Sequence, residues 1–310
     1  MLSEAAGTSR QYAYSLFGLT LHSELFLPEL LNSECSGTPD LTIVRGVVPK
    51  LTAGEAEYVA IDGGVAFWVD GIGRYAVMNG DRIIVQAELG AVDRNIRLYL
   101  LGSAIGMSLH QRGLLPLHAN AIEIGGKAFA FMGHSGSGKS TLAAWFHQQR
   151  CRIIADDVCV VRFGDEGRPL VSPGLPRLRL WREALNHFGR DIAAYERSYS
   201  GDDGIDKYDF PIPPDGAATD QIELGGVFLL DVAERFDIVR MDGVAAADAI
   251  FANTYRGASV AMTDSMTDYW KSCVQLVQTT PLFRVNRRWG FPDFDSECSA
   301  ILDYVERLGS

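Results

Sequence analysis

The chain has 310 residues, 47% of them apolar, with a formal net charge of −11 at pH 7. That is enough for one large or two modest globular domains with a sizeable core. The acidic balance argues against nucleic acid or an anionic membrane as a partner. No apolar run approaches the ~20 residues of a membrane span, and the N-terminus, with Glu4 and Arg10, lacks the apolar stretch of a signal peptide.

Residues 11 to 90 read as β-rich. Tyr12 to Leu21 is aromatic and aliphatic. Short apolar runs follow at Leu41–Val44, Tyr58–Ile61, Val65–Val69, Tyr75–Met78 and Ile83–Val85. Asp62-Gly63-Gly64, Asp70-Gly71 and Asn79-Gly80-Asp81 separate the later ones, and such dipeptides favour the tight turns of hairpins, so residues 57 to 86 are expected to form a meander. Nothing in this part gathers catalytic residues. It reads as a small accessory or substrate-docking domain, 1–90, ahead of a larger domain, 91–310.

From Ala91 to Gln111 the apolar residues Val92, Ile96, Tyr99, Leu100, Ile105 and Leu109 recur at near-helical period, and Gly113 suits a C-terminal cap. Leu114 to Ile124, the Gly125-Gly126 turn and the buried run Lys127–Met132 read as a hairpin feeding the next segment. That segment is Gly133-His134-Ser135-Gly136-Ser137-Gly138-Lys139-Ser140, a G-x-x-x-x-G-K-[ST] phosphate-binding loop, followed by the helical run Ser140–His147. The order strand, glycine-rich loop, helix is what the physics asks for. Glycines let successive N–H groups turn inward toward an anion, and the helix adds its free N–H groups and the positive end of its dipole. Gly133, Ser135, Gly136, Ser137, Gly138, Lys139, Ser140 and Thr141 are the expected nucleotide contacts. Lys139 would reach the β- and γ-phosphates and the Ser140 hydroxyl would bind Mg²⁺.

Cys151 to Val161 reads as another buried strand pair, broken by Asp156-Asp157. A carboxylate at the end of an apolar strand across from the loop hydroxyl is where Mg²⁺ needs its second anchor. Pro173 to Trp181 leads into a helix from Arg182 to about Phe188. Residues 196 to 220, with Lys207, are polar and rich in Gly, Asp and Pro, and read as a loop. Strands are expected at Leu224–Leu230, Val239-Arg240 and Leu282–Val285, and helices at Ala245–Tyr255, Tyr269–Thr279 and Ser296–Leu308. The five cysteines, Cys35, Cys151, Cys159, Cys273 and Cys298, form no C-x-x-C pair. They read as reduced thiols of a cytoplasmic protein.

Leu117-His118, the loop from Gly133 to Ser140 and Ala155-Asp156-Asp157, in that order, resemble the HPr kinase/phosphorylase family. The resemblance covers roughly residues 92 to 290. It implies an α/β fold with a P-loop HPr-kinase-like C-terminal domain, here joined to a smaller β-rich N-terminal domain, and a homo-oligomer. It implies that Asp156 takes the proton from an acceptor serine, that His118 tunes Asp156, and that Asp157 joins Ser140 at the metal. The Glu-x-Arg-Gly-x-Gly signature of the bifunctional enzymes is missing: Leu175–Leu180 stands there, so a second metal and phosphorylase activity are not expected. The aromatic stretch Tyr12–Phe17, Leu27-Pro28-Glu29-Leu30, Pro176–Trp181, Lys207-Tyr208 and Tyr255-Arg256 are similar to HPr-kinase-related lasso-peptide kinases, which phosphorylate a serine at or near a precursor peptide's C-terminus. Arg256 is counted with the catalytic residues. Arg177, Arg179, Lys207, Arg287 and Arg288 are further candidates for anion contacts, because guanidinium binds planar anions bidentately. The expected function is therefore an ATP- and Mg²⁺-dependent serine kinase acting on a peptide or small protein. The alternatives are a small-molecule kinase for free serine or a sugar, and a nucleotide-gated regulatory module without catalysis.

Overall fold

In the computed structural model the first seven strands are β1 (Tyr12–Leu16), β2 (Leu19–Ser23), β3 (Leu41–Arg45), β4 (Val59–Ile61), β5 (Gly64–Val69), β6 (Gly73–Met78) and β7 (Arg82–Ala87). The structure describes residues 11–33, 37–49, 58–201, 204–263 and 266–309. Glu4, Arg10 and Cys35 lie outside them. The strands form one sheet in the order β1-β2-β3-β7-β6-β5-β4, so the expected meander is present over β4 to β7. Its Asn79-Gly80 turn has both residues at positive φ (50° and 73°), the two-residue geometry whose twist matches paired strands. The β1–β2 turn does the same at Phe17-Gly18 (54° and 72°). Glycine takes that conformation freely. Phe17 takes it because its ring is buried and its N–H donates to Pro173 O at 3.0 Å.

The apolar face of this sheet packs on the helical segment α1 (Asp93–Tyr99), a π-helical turn (Leu100–Ala104) and α2 (Ile105–Gln111). Ile96, Leu100, Leu101, Ala104, Ile105 and Leu109 share a core with Leu21, Ile43, Phe67, Tyr75 and Ile83. Glu29, from the Leu-Pro-Glu-Leu segment, accepts from Arg97 Nε at 2.8 Å, which ties the loop after β2 to α1. Val158, Val160 and Tyr255 belong to the same core, so it continues into the rest of the molecule.

The remaining strands are β8 (Leu115–Leu117), β9 (Ala119–Ile124), β10 (Lys127–Met132), β11 (Arg152–Ala155), β12 (Cys159–Phe163), β13 (Pro169–Ser172), β14 (Arg177–Trp181), β15 (Glu196–Arg197), β16 (Lys207–Pro211), β17 (Ile222–Val232), β18 (Asp237–Met241) and β19 (Leu282–Arg287). The helices are α3 (Lys139–Gln148), α4 (Arg182–His187), α5 (Gly243–Ala252), α6 (Met266–Thr279) and α7 (Phe294–Gly309). Nine strands make the large sheet. It runs β11-β9-β10-β17-β13-β12-β8, with β19 also on β17 and β18 on β19. At its centre β10, β17 and β19 are parallel. Their side chains alternate between two covered faces. Phe129, Phe131, Phe228 and Phe283 meet residues of α3 and α7. Ala128, Ala130, Met132 and Val227 meet residues of α5 and α6. A parallel sheet covered on both faces explains why these strands read as continuous apolar runs.

The fold is thus mixed α/β, with three sheets and seven α-helices among the described residues. The stretch 196–220, expected to be a loop, contains β15 and β16, which pair with β14 in a small three-stranded sheet. These strands are two to five residues long, and their partners are distant in sequence, so local composition gives no warning of them. No helix among the described residues is long and apolar enough to cross a membrane. Cys151, Cys159, Cys273 and Cys298 are free thiols.

Candidate active site

The glycine-rich loop, expected from sequence to bind phosphate, connects β10 to α3. Gly133, Gly136 and Gly138 have φ of 146°, 86° and 85°, values open to glycine and costly for other residues. Gly138 is also sterically required, because a Cβ there would collide with the Arg287 guanidinium. Arg287, at the end of β19, is buried and donates from Nη2 to Ser137 O at 3.0 Å. Its Nη1 and the Ser137 Oγ are buried without a hydrogen-bond partner. Orphaned buried donors beside a glycine-rich loop fit an anion, since such groups are otherwise costly to leave unmade.

Lys139 is buried, and its Nζ donates to Gly133 O at 2.7 Å and His134 O at 3.1 Å. Burial lowers its pKa to about 8 against the pull of Asp157 and Asp156, so it stays mostly charged at neutral pH.

The two acids follow β11 and face different partners. Asp157 has a left-handed backbone (φ 70°), a conformation Asp tolerates better than most residues. Asp156 is buried. Its Oδ1 accepts from Ser140 Oγ at 3.0 Å and its Oδ2 from the Arg179 backbone N–H at 2.6 Å. Burial, then the charge of Asp157, raise its pKa against the influence of Arg179 and Ser140. Asp157 is ion-paired to the Arg179 guanidinium and faces His118. The His118 Nδ1 lies 3.1 Å from Asp157 O and 3.5 Å from its Oδ1. Burial pushes Asp157 upward, but Arg179, His118, Lys207 and Lys139 together outweigh it and hold the carboxyl well below the usual range. His118 is pushed toward the neutral form by burial, with Asp157 opposing.

His118 is fixed by its own N–H, which donates to Asn253 O at 2.6 Å, and by the Tyr255 ring, 5.9 Å away. Tyr255 can approach because α2 and the π-helical turn offer Gly106 and Gly102 there: Cβ atoms at these positions would lie 2.9 and 3.0 Å from its ring and hydroxyl.

One cleft of about 640 Å³ collects His118, Ser135, Gly136, Gly138, Lys139, Ser140, Thr141, Asp157, Lys207 and Arg287, while Asp156 and Arg179 lie off its lining. Lys207, placed by β16, lies over the Trp181 ring at 5.1 Å. Burial and the neighbouring Arg179 lower its pKa.

Two pairings differ from the sequence expectation. Ser140 meets Asp156 rather than Asp157, and His118 meets Asp157 rather than Asp156. Arg256 is absent from the cleft lining. Its guanidinium reaches Tyr58 Oη at 3.4 Å and the Tyr255 ring at 5.3 Å. Arg177 pairs with Asp209, and Arg288 with Asp293 at 2.6 Å. Arg179, which with Arg256 stood out among the candidate anion contacts because apolar residues flank it, holds both acids.

Among the described residues no three His, Cys, Asp or Glu side chains gather as a metal cluster. The Ser140 hydroxyl and Asp156 carboxylate do fit Mg²⁺, which keeps several waters and is usually bound through one or two carboxylates and the substrate's phosphates.

No protein-family model matches the chain, and no curated protein matches it. Among solved structures, the Hpr(Ser) kinase/phosphatase from Coxiella burnetii is similar over 63% of this chain and 99% of that one, at 10% identity and a TM-score of 0.35. That likeness is distant, and the chemistry of the site stands on its own residues.

Proposed function

We propose that this protein is an ATP- and Mg²⁺-dependent kinase that phosphorylates a serine hydroxyl of a peptide or small protein. The observation that carries the reading is the hydrogen bond of 3.0 Å between the phosphate-loop hydroxyl of Ser140 and the buried carboxylate of Asp156, with Asp157 and His118 beside it on the cleft. Phosphoryl transfer asks little covalent chemistry of a protein; it needs positioning and charge neutralisation. The loop N–H groups and Lys139 bind the β- and γ-phosphates. Ser140 and Asp156 hold Mg²⁺, which when bound neutralises charge on the phosphate oxygens. Neutral His118, on the cleft and beside Asp157, receives the acceptor's proton, Asp157 stabilises the imidazolium that forms, and Arg179 fixes the orientation of both acids. Lys207 supplies a second cation to the phosphoryl group.

A lasso-type precursor peptide ending in serine is the acceptor to test first. The experiment is transfer of labelled γ-phosphate from Mg-ATP to serine peptides with the serine internal or C-terminal, with free serine and simple sugars alongside. Labelled peptide is the expected result. Label confined to serine or sugar would make this a small-molecule kinase. Nucleotide binding with no transfer to any acceptor would favour a regulatory module.

A further inference from the structure

The cleft is lined by two chemically distinct sets of residues: Asp157, His118 and Lys207 in one, and Trp289, Phe291 and Phe294, which follow Arg287 in the chain, in the other. Trp289 is 65% exposed, although indole is among the costliest surfaces to leave in water. Other exposed aromatics have ring partners: Phe251 and Trp270 stack on each other at 4.9 Å, and Phe26 packs on Tyr12 at 5.4 Å. In the cleft, Phe291 is stacked on His187 at 4.1 Å and Phe294 carries the Arg287 guanidinium. The Trp289 ring has no ring contact among the described residues.

The segment that carries this indole is held in place. Arg288 Nε donates to Glu234 O at 3.0 Å, its Nη1 pairs with Asp293, and its backbone N–H reaches Glu297 Oε1 at 3.3 Å. Trp289 is also tied to the phosphate loop through the chain, since Arg287, two residues before it, donates to Ser137 O.

We infer that Trp289 is the platform on which the nucleobase of the phosphate donor stacks. The inference rests on the nucleotide reading of the phosphate loop and adds how the base is held. Every base has a π-face, so recognition by stacking tolerates base identity, and ATP and GTP bind with similar affinity.

The test uses calorimetric titration of the full chain with Mg-ATP, Mg-GTP and Mg-tripolyphosphate, the last having the phosphates without a base. Trp289→Ala is expected to weaken both nucleotides about tenfold, in the range of a lost base–aromatic stack, and to leave tripolyphosphate within about twofold of wild type. Trp289→Phe, which keeps a ring, is expected to recover most of the nucleotide affinity and shows that the loop still folds. Unchanged nucleotide affinity in Trp289→Ala overturns the proposal, as does an equal loss for tripolyphosphate. A loss for one nucleotide alone overturns stacking as the mode of recognition. If wild type binds none of the three, the phosphate-loop reading itself fails, a different result from a wild type that binds all three and a Trp289→Ala variant that does too.

Discussion

The seven-stranded sheet and the nine-stranded sheet are made from similar apolar, strand-forming residues, yet they place polar groups oppositely. Among the described residues of 11–90, Ser23 is the only buried polar side chain. Around the C-terminal ends of β10, β11 and β19, by contrast, Lys139, Asp156 and Arg287 are buried together. Buried charges are expensive unless partnered, and those partners are the site itself: the Arg179 N–H and Ser140 for Asp156, the Ser137 carbonyl for Arg287, and loop carbonyls for Lys139. One region uses its interior for stability, and the other gives up part of its interior to hold charge beside a cleft.

The comparison can be broken from the charged side first. His118→Ala should lower kcat by about 10²–10⁴, the range for losing a positioned base. Asp157→Asn should cost less, and the double variant should fall short of the sum, because residues that act as one unit do not add. The check is a double-mutant cycle on kcat at saturating ATP. Additive losses would separate Asp157 from His118 as one catalytic unit. Asp156→Asn should instead be partly rescued by excess Mg²⁺. A rescue seen for Asp157→Asn and not for Asp156→Asn would restore the division of roles that the sequence resemblance implies.

From the other side, Phe67 is 4% exposed and stacks on Tyr75 at 4.7 Å. Phe67→Ala should cost about 3–5 kcal/mol of folding stability, read from denaturant titration, while the affinity of the folded fraction for ATP stays unchanged. A small stability loss with a large affinity loss would dissolve the contrast between the two regions. Lys139→Ala gives the reverse pattern. It should reduce transfer about 10²–10³-fold, as loss of a pre-organised charge does, with melting near that of wild type.

The smallest expected effect sharpens the boundary between the regions. His110 on α2 is 3% exposed and its Nε2 donates to Tyr255 O at 2.7 Å. Burial lowers its pKa from 6.5 to about 4, against that hydrogen bond. Because the folded value lies below the unfolded one, the unfolded chain takes up the proton first as pH falls. Stability is therefore lost between pH 6.5 and about 4, amounting to about 2 kcal/mol at pH 5. His110→Gln should flatten this part of the unfolding free energy against pH, and an unchanged slope would refute the assignment.

Much of the molecule was legible before its structure. The strands and helices around the phosphate loop follow from continuous apolar runs and capped helical periods, and the meander from its Asn-Gly and Asp-Gly turns. Residues 196–220 were not legible, because β16 is a five-residue strand whose partner, β14, lies about thirty positions earlier. Its placement carries Lys207 into the cleft. The partners of the acids were hidden for another reason: Asp156 and Asp157 are adjacent, and only the left-handed backbone at Asp157 turns one toward Ser140 and the other toward His118. The apolar flanks of Arg179 marked it as an anion contact, but its actual partners, both acids, appear only once β14 is placed beside them. Trp289 carried no signal as a single exposed aromatic.

By itself the sequence determined the glycine-rich loop, its flanking strand and helix, and the acid pair after the next strand, because glycine φ freedom, helical period and strand length are local properties of consecutive residues. Tertiary structure alone decided which acid serves which partner, which cations reach the cleft and which aromatic is left without a partner, because each depends on groups brought together from β8, β11, β14, β16 and β19, and no local preference encodes a distance between segments that far apart in the chain.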